Sequence, residues 1–500
     1  MIESFKKYLY DNKILILLSV LLYFLAYIIW IVSNPLHVDT FQFINLPNFQ
    51  YNWLQIDRWG LCLFKYISNG WFLNLFFEKV IGYLFCAISG VILGYTGFYF
   101  TNKFKLFWIF FPVLIFCNPF MADLFYFDMQ MEGIGFGFIL ISLSLLLNME
   151  FIFNFTRKNF IKIIIGILMG IWAFGIYQSF INTYISFFCL IFILKNFDNF
   201  EVKILFKQLF LSVVIFLSIF LLYRVVCILT NINPSSYNEI TWGQDSIVGT
   251  LLNIYYQIRI LVINNDSLFN VLFSVLLFAV MVFSIIALIV RLVKTQWAFI
   301  FVWISIMVFE FSSVVLLFIN GGSSLPLRSF TALLFVFAGN ILLVVYFVNK
   351  ICKYNKAVLL ILFLLVCFGN LQGLESYIYT DIIRSNEDIS VMTELAYTTN
   401  RLGNKPVAII GNYNNHYTPI SKDQKGTCSW SVFYWGDDSM SRTSHVSAAL
   451  KSLGIKDDLN LASKDNFVEA TRVSMSLDSY PNGQWYKDMG DYIIINIGKK

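Results

Sequence analysis

The chain has 500 residues and a mass of 58.1 kDa; 58% of its residues are hydrophobic, only 13% are charged, and the mean hydropathy is +0.71. A soluble domain carries roughly 25% charge, so a soluble globular enzyme, a disordered chain and a nucleic-acid binder are all excluded, and a polytopic membrane protein remains. The net charge of +5 decides little, because the placement of Lys and Arg orients a membrane protein, not their sum.

Taken in chain order, apolar runs alternate with short polar breaks from Ile14 to about Asn370. A helix needs about 20 apolar residues to cross a bilayer. That rule predicts about eleven spans, at 14–33, 80–101, 104–118, 133–153, 161–176, 180–194, 206–229, 267–290, 297–318, 329–349 and 357–373. The pair within 161–194 also reads as one helix pair broken around Gly175-Ile176-Tyr177-Gln178-Ser179. The first run is too long for a signal-peptide core, and no small-residue cleavage site follows it. Seven of the eight Cys lie in or beside apolar runs, and only Cys428 lies in the polar C-terminal region. No CxxC occurs, and His37, His416 and His445 lie far from any Cys, so a Cys/His metal site has no support.

Positive charge sets the orientation. With the N-terminus inside, the inner segments carry sixteen Lys and Arg, whereas six (Arg58, Lys65, Lys79, Arg224, Arg259 and Arg328) fall elsewhere before residue 375. The N-terminus is therefore expected inside and the C-terminal region outside. The first outer segment, about 34–79, is long and aromatic and holds Asp39, Trp53, Asp57, Arg58 and Trp59. Its aromatic rings suit helices lying along the membrane interface. The second, about 119–132, holds Asp123, Asp128 and Glu132 with no Lys or Arg; a late one holds Gly321, Gly322 and Arg328. Glu310 and Arg224 fall inside apolar runs, where charge is costly; a structural pair between them is the simplest expectation. No GxxxxGK[ST] phosphate loop occurs, so an ATP-driven pump is disfavoured.

After Leu374 the composition changes. Residues 375–500 hold 15 of the 30 acidic and 13 of the 35 basic residues, so about a quarter of the chain carries nearly half the charge. Strands are expected around Lys405–Gly411 and Asp491–Ile497, with a helix from Ser444 to Leu453 stopped by Gly454. The reading is a transmembrane domain, 1–374, followed by a soluble α/β domain, 375–500. Gly411-Asn412-Tyr413 does not make a GxGxxG pattern, so nucleotide binding has no motif behind it.

An acidic residue after the first helix, then an aromatic loop with Trp53…Arg58-Trp59, resembles the bacterial Gtr glucosyltransferases, serotype-converting membrane enzymes of GT-C-like design. Asp39 matches the family's acidic position. Gly175-Ile176-Tyr177-Gln178-Ser179 is similar to a second family segment, and Pro326-Leu327-Arg328 to a Pro-x-Arg in a late outer loop. The family often has an Asp-Asp pair where this chain has Asp39-Thr40, so one carboxylate stands in place of two.

The resemblance implies an α-helical polytopic, GT-C-like membrane protein with a C-terminal extracytoplasmic α/β domain, placed in the bacterial cytoplasmic membrane. It implies transfer of a sugar, usually glucose, from a polyprenyl phosphate at the outer face to a surface polysaccharide such as an O-antigen or to a lipid-linked glycan. Attack by a sugar hydroxyl needs a carboxylate base, with Asp39 first and Asp128 or Glu132 as alternatives. The departing lipid phosphate needs a cation or oriented donors, which points to Arg58 and Arg328, with Trp53, Trp59, Tyr177 and Gln178 lining the substrate site. No cofactor, no metal and no nucleic acid are expected; the partners are the bilayer, a donor synthase and a flippase. Each residue also has an ordinary role open to it: solvated loop acids for Asp39 and Asp57, helix-start acids for Asp128 and Glu132, polar helix ends for Tyr177 and Gln178, and headgroup contact for Arg328. The alternative function is a flippase or transporter of lipid-linked glycans, which would line a continuous path through the membrane with charge.

Overall fold

The structure, a computed structural model, describes residues 1–33, 35, 37, 40–41, 50–69, 74–155, 159–199, 201–230, 241–244, 246–262, 270–323, 325–351, 356–413, 431–434 and 438–498. It is mostly helical. Among the described residues six helices are long and apolar enough to cross a membrane: Lys13–Ser33, Leu75–Thr101, Asp128–Phe153, Val202–Thr230, Ser274–Val293 and Leu327–Asn349. Lys105–Phe116 and Pro119–Phe125, bent by 55°, make a seventh if they are counted as one span. Phe160–Ile176, Phe180–Asn196, Ile247–Leu261 and Phe299–Ser312 are apolar but shorter. The chain is a polytopic membrane protein, and among its described residues six or seven helices are full-length, the other expected spans falling partly on the shorter helices.

Local chemistry accounts for the breaks. The expected run 297–318 divides into Phe299–Ser312 and Val315–Ile319. At the break the Ser312 hydroxyl donates to the Phe309 carbonyl at 2.6 Å and the Ser313 hydroxyl to the Glu310 carbonyl at 2.8 Å, diverting acceptors from the helical ladder. At the bend before Pro119, the Asn118 side-chain oxygen accepts from the Phe120 N–H at 3.0 Å. Pro119 occupies the first helical position, where its missing N–H costs nothing.

The chain forms two compact units: Met1–Ile28, Gln50–Phe125 and Gln130–Leu374 make one; Ile29–Phe49, Tyr126–Met129 and Glu375–Lys500 make the other. In the first, Glu310 and Arg224 do not pair as expected. Buried Glu310 accepts from the Asn340 amide at 3.1 Å, and Arg224 donates to Asp57 at 3.1 Å. A neutral amide gives one oxygen of the buried carboxyl a donor without bringing in a second charge that would itself need desolvating.

In the second unit, the composition change at 375 does not end a helix. One helix runs unbroken from Lys356 to Arg401, 46 residues. Beyond residue 374 it buries Tyr377, Ile378, Asp381, Arg384, Asp388, Val391, Met392, Leu395, Ala396 and Thr399. That is the spacing of one helical face, with three charged residues set into it. After the helix come three strands, β1 (Val407–Ile410), β2 (Tyr486–Asp488) and β3 (Ile493–Asn496), in the order β1-β3-β2. β1 runs parallel to β3, with Val407 opposite Ile493, and β2 runs antiparallel to it.

Alternation along β1 sends its residues to two cores. Val407 and Ile409 pack with Met392, Leu395, Val446, Leu450, Ile493 and Ile495. Ala408 and Ile410 pack with Phe467, Ala470 and Ile494. The helices Ser439–Ser452 and Lys464–Ser474 supply the partners, each with a side-chain cap: Asp438 accepts from the Ser441 N–H and Ser463 from the Asn466 N–H. Phe41, from the segment after the first long helix, joins the first core.

β1 ends at Gly411, with φ at +92° and no room for a side chain: a Cβ there would lie 1.8 Å from the Gly498 carbonyl oxygen. Both the left-handed backbone and the contact demand glycine. Gly411→Ala is expected to cost about 1–3 kcal/mol. In the full-length protein it should speed proteolytic cleavage within 375–500; an unchanged cleavage rate would contradict this packing.

Candidate active site

In the first unit, the start of the Trp59–Asn69 helix is built from backbone bonds. The Arg58 N–H donates to the Trp53 carbonyl at 2.8 Å, and the Arg58 carbonyl accepts from Leu61 at 3.1 Å and Cys62 at 3.3 Å. Asp57 turns the chain with φ at +63°, a conformation Asp tolerates better than most side chains. The Asp57 carboxylate is held by Arg224 across the unit rather than by neighbouring Arg58.

This turn docks on the end of the Phe160–Ile176 helix. A Cβ at Gly60 would lie 2.7 Å from the Gly175 backbone, and a Cβ at Gly175 would lie 2.5 Å from the Trp59 ring. The Trp172 indole N–H donates to the Gly60 carbonyl at 3.0 Å. The two expected motifs, Trp53…Arg58-Trp59 and Gly175-Ile176-Tyr177-Gln178, are thus two sides of one joint, closed by a pair of glycines.

The joint aligns the polar residues. The Arg58 guanidinium lies over the Tyr177 ring, 4.7 Å from its centre, and Nη1 donates to the Gln130 side-chain oxygen at 2.6 Å. The Tyr177 hydroxyl donates to the Arg328 carbonyl at 3.4 Å, and the Gln178 amide to the Ile56 carbonyl at 3.4 Å. The Arg328 N–H donates to Asp123 at 3.2 Å. Arg58, Trp59, Tyr177, Gln178 and Arg328 therefore come together, with buried Trp53 fixing the Arg58 backbone. Gln130 and Asp123 were not foreseen as members. Among the described residues no carboxylate pairs with the Arg58 side chain, whose partners are an amide oxygen and an aromatic face. A partly buried cation with only neutral partners is suited to an anion, since a charged acceptor makes the stronger hydrogen bond.

Glu132 belongs to another cluster. It is buried 3.5 Å from the Lys65 ammonium, which also pairs with buried Glu78. Two carboxylates share one lysine there, and Glu132 has no other partner among the described residues.

The second unit holds a buried charge network that hydropathy could not reveal. His37 Nδ1 lies 2.7 Å from Asp128 and His37 Nε2 3.2 Å from Asp381. Arg384 donates to Asp381 at 2.7 Å and to Asp388 at 3.0 Å, and the Trp30 indole donates to Asp381 at 2.8 Å. Asp388 also accepts from the Ser431 hydroxyl at 2.5 Å and the Val432 N–H at 2.9 Å. The Tyr126 ring lies 4.1 Å from the His37 ring and beneath Arg384. Asp39 lies outside the described residues; His37 and Thr40 on either side of it are buried.

Carboxylates accept and do not donate, so an imidazole bonded to two of them carries a proton on each nitrogen. Burial favours neutral His37, but Asp128 and Asp381 outweigh it and raise the pKa above the usual histidine value. Burial also opposes a charged Asp381, but Arg384 and His37 hold its pKa below the usual carboxylate value. By linkage, the His37 contribution is complete below its unfolded pKa of about 6.5 and is lost as pH rises through the raised folded value; the Asp381 contribution is complete above about 3.9 and is lost as pH falls through the lowered one. The His37–Asp381 contact is firmest in mild acid and weakens first on the alkaline side.

The sequence brought up His37 only in the question of a Cys/His metal site, and gave no role to Trp30, Tyr126, Asp381, Arg384 and Asp388. The signal available was Asp381, Arg384 and Asp388 at intervals of three and four residues, one face of a helix.

A family model described as Glucosyl transferase GtrII matches residues 31–339. No curated protein and no solved structure matches the chain. The matched stretch covers more than half of the 500 residues and holds the aromatic turn, the Gly175–Gln178 segment and Arg328. The chain belongs to the GtrII glucosyl transferase family and is a membrane glucosyltransferase.

Proposed function

We propose that this enzyme takes glucose from a polyprenyl phosphate at the outer face of the bacterial cytoplasmic membrane and places it on a hydroxyl of a surface polysaccharide. The observation that carries this reading is Arg58, a cation with neutral partners, linked through Tyr177 to Arg328 in a chain of membrane helices. A single lipid phosphate needs such a grip, and a donor confined to the bilayer needs no nucleotide pocket.

In the reaction the acceptor hydroxyl oxygen attacks the anomeric carbon. The bond from that carbon to the phosphate oxygen breaks, and its electron pair leaves on the phosphate. The hydroxyl proton passes to a carboxylate, for which Asp39 is proposed on the strength of its family position, with Asp128 and Glu132 as alternatives. Arg58 and Arg328 neutralise the charge that grows on the phosphate, while Trp59, Tyr177 and Gln178 shape the donor site. Four apolar helices of 10–17 residues supplement the longer ones toward the proposed eleven spans, with the N-terminus inside. Residues 375–500 are proposed as an extracytoplasmic α/β domain, following a transmembrane domain of 1–374, that shapes acceptor binding. A donor synthase and a flippase supply the glucosyl lipid.

Purified enzyme in lipid vesicles should transfer glucose from polyprenyl phosphate and not from a nucleotide sugar. Transfer from the nucleotide sugar alone would overturn the donor assignment. Arg58→Ala should lower kcat/KM by about a hundredfold or more, with Arg58→Lys retaining part of the activity because one point charge replaces a planar fork; wild-type kinetics for Arg58→Ala would move the phosphate site elsewhere. Asp39→Asn should insert normally and lose transfer. If it transfers glucose at the wild-type rate, the base is another acid, and Asp128→Asn and Glu132→Gln identify it. Reporters fused after residue 374 should be active only when the reporter requires an extracytoplasmic location; cytoplasmic activity there would reverse the sidedness.

A further inference from the structure

The matched family stretch ends at residue 339, yet His37 inside it is bonded to Asp381 outside it. This contact ties the C-terminal helix to the family stretch. Asp381 is fully buried and accepts from three donors: His37, Trp30 and Arg384. Asp388 fixes the other arm of Arg384, and is fixed in turn by Ser431 and Val432. Each member thus restrains the next, from residues 431–432 back to the histidine two residues before Asp39.

We propose that Asp381 is a positioning residue of glucosyl transfer: it holds His37 as an imidazolium against Asp128, and so fixes the segment from which the carboxylate base acts. The inference rests on the reading that Asp39 or Asp128 is that base. The groups facing His37 are Asp128, the first residue of the Asp128–Phe153 helix, Tyr126 ahead of that helix, Asp381 with Arg384 behind it on the C-terminal helix, and the Trp30 ring. Two carboxylates face the imidazole directly, so removing either charge lowers the pH at which it loses its proton.

The test uses full-length protein in membranes from producing cells, which contain their own glucose donor and acceptor, so the outcome does not depend on the identity of the carrier. Glucose addition is measured over a pH series for matched amounts of inserted protein. In the wild type the rate should fall on the alkaline side as His37 loses its proton. Asp381→Asn should lower the maximal rate by about a hundredfold, the scale of a small misplacement of a reacting group. It should also move the alkaline fall to lower pH, and Asp381→Glu should restore the position of that fall in part. His37→Gln should abolish the fall altogether. A reduced rate with an unmoved alkaline fall would mean that Asp381 is merely structural and would overturn the proposal, as would a wild-type profile. Should Asp381→Asn fail to insert, Asp381→Ser, which also removes the charge that faces His37, is expected to show the same shift, and an unmoved fall there would overturn the proposal equally. Retention of full activity by both Asp39→Asn and Asp128→Asn would sink the base assignment instead.

Discussion

An imidazole held between two buried carboxylates is the contact on which the second unit depends. Asp128, His37 and Asp381 come from three stretches separated by 91 and 253 residues (128 − 37 and 381 − 128). Ordering such distant stretches costs loop entropy, and taking five charged groups out of water costs far more. The arrangement survives because nearly every lone pair is used: Asp381 accepts three donors, Asp388 accepts three, and both histidine nitrogens are engaged. Removing one member leaves its partners buried and unpaired, a loss of about 3–5 kcal/mol for a pair of this kind. Three carboxylates against two cations leave the cluster one negative charge in excess, which favours keeping the proton on His37.

The first unit solves a different problem, bringing a cation to a fixed place with no carboxylate among the described residues to neutralise it. It does so with backbone geometry. Two glycines let the Arg58 turn and the Tyr177 segment approach closely, the tryptophans at 59 and 172 close over the joint, and the guanidinium is carried by a ring face and an amide oxygen. An aromatic face attracts a cation by about 0.5–2 kcal/mol without discharging it, so the guanidinium keeps its charge, as the proposed phosphate grip requires. The nearby carboxylates are taken up elsewhere: Asp57 by Arg224, and Asp123 by the Arg328 N–H.

Much of this was legible in the sequence, for specific reasons. Long apolar runs announce membrane helices wherever hydropathy is continuous, and the family segments at Arg58, Gly175–Gln178 and Arg328 were visible because their residue types are distinctive. That they form one joint was not visible, since spatial proximity across 112 residues (172 − 60) leaves no periodic trace. Hydropathy stopped at Leu374 because Asp381, Arg384 and Asp388 interrupt the apolar pattern, although the same helical face continues through them to Thr399. A rule that treats charge as exposed fails where charges neutralise one another inside. For the same reason Glu310 was expected to seek Arg224, when Asn340 on a packed helix serves it at lower desolvation cost.

The buried charge network depends on His37 being an imidazolium, and nitrogen NMR of its ring tests that most directly. The chain has only three histidines, so replacing His416 and His445 by Gln leaves a single labelled ring to observe in the full-length protein. At pH 6.5, the unperturbed histidine value, where a free imidazole is half neutral, both ring nitrogens should give mainly protonated, imidazolium shifts. A spectrum at that pH with one protonated and one bare nitrogen, the signature of a neutral ring, would contradict the account.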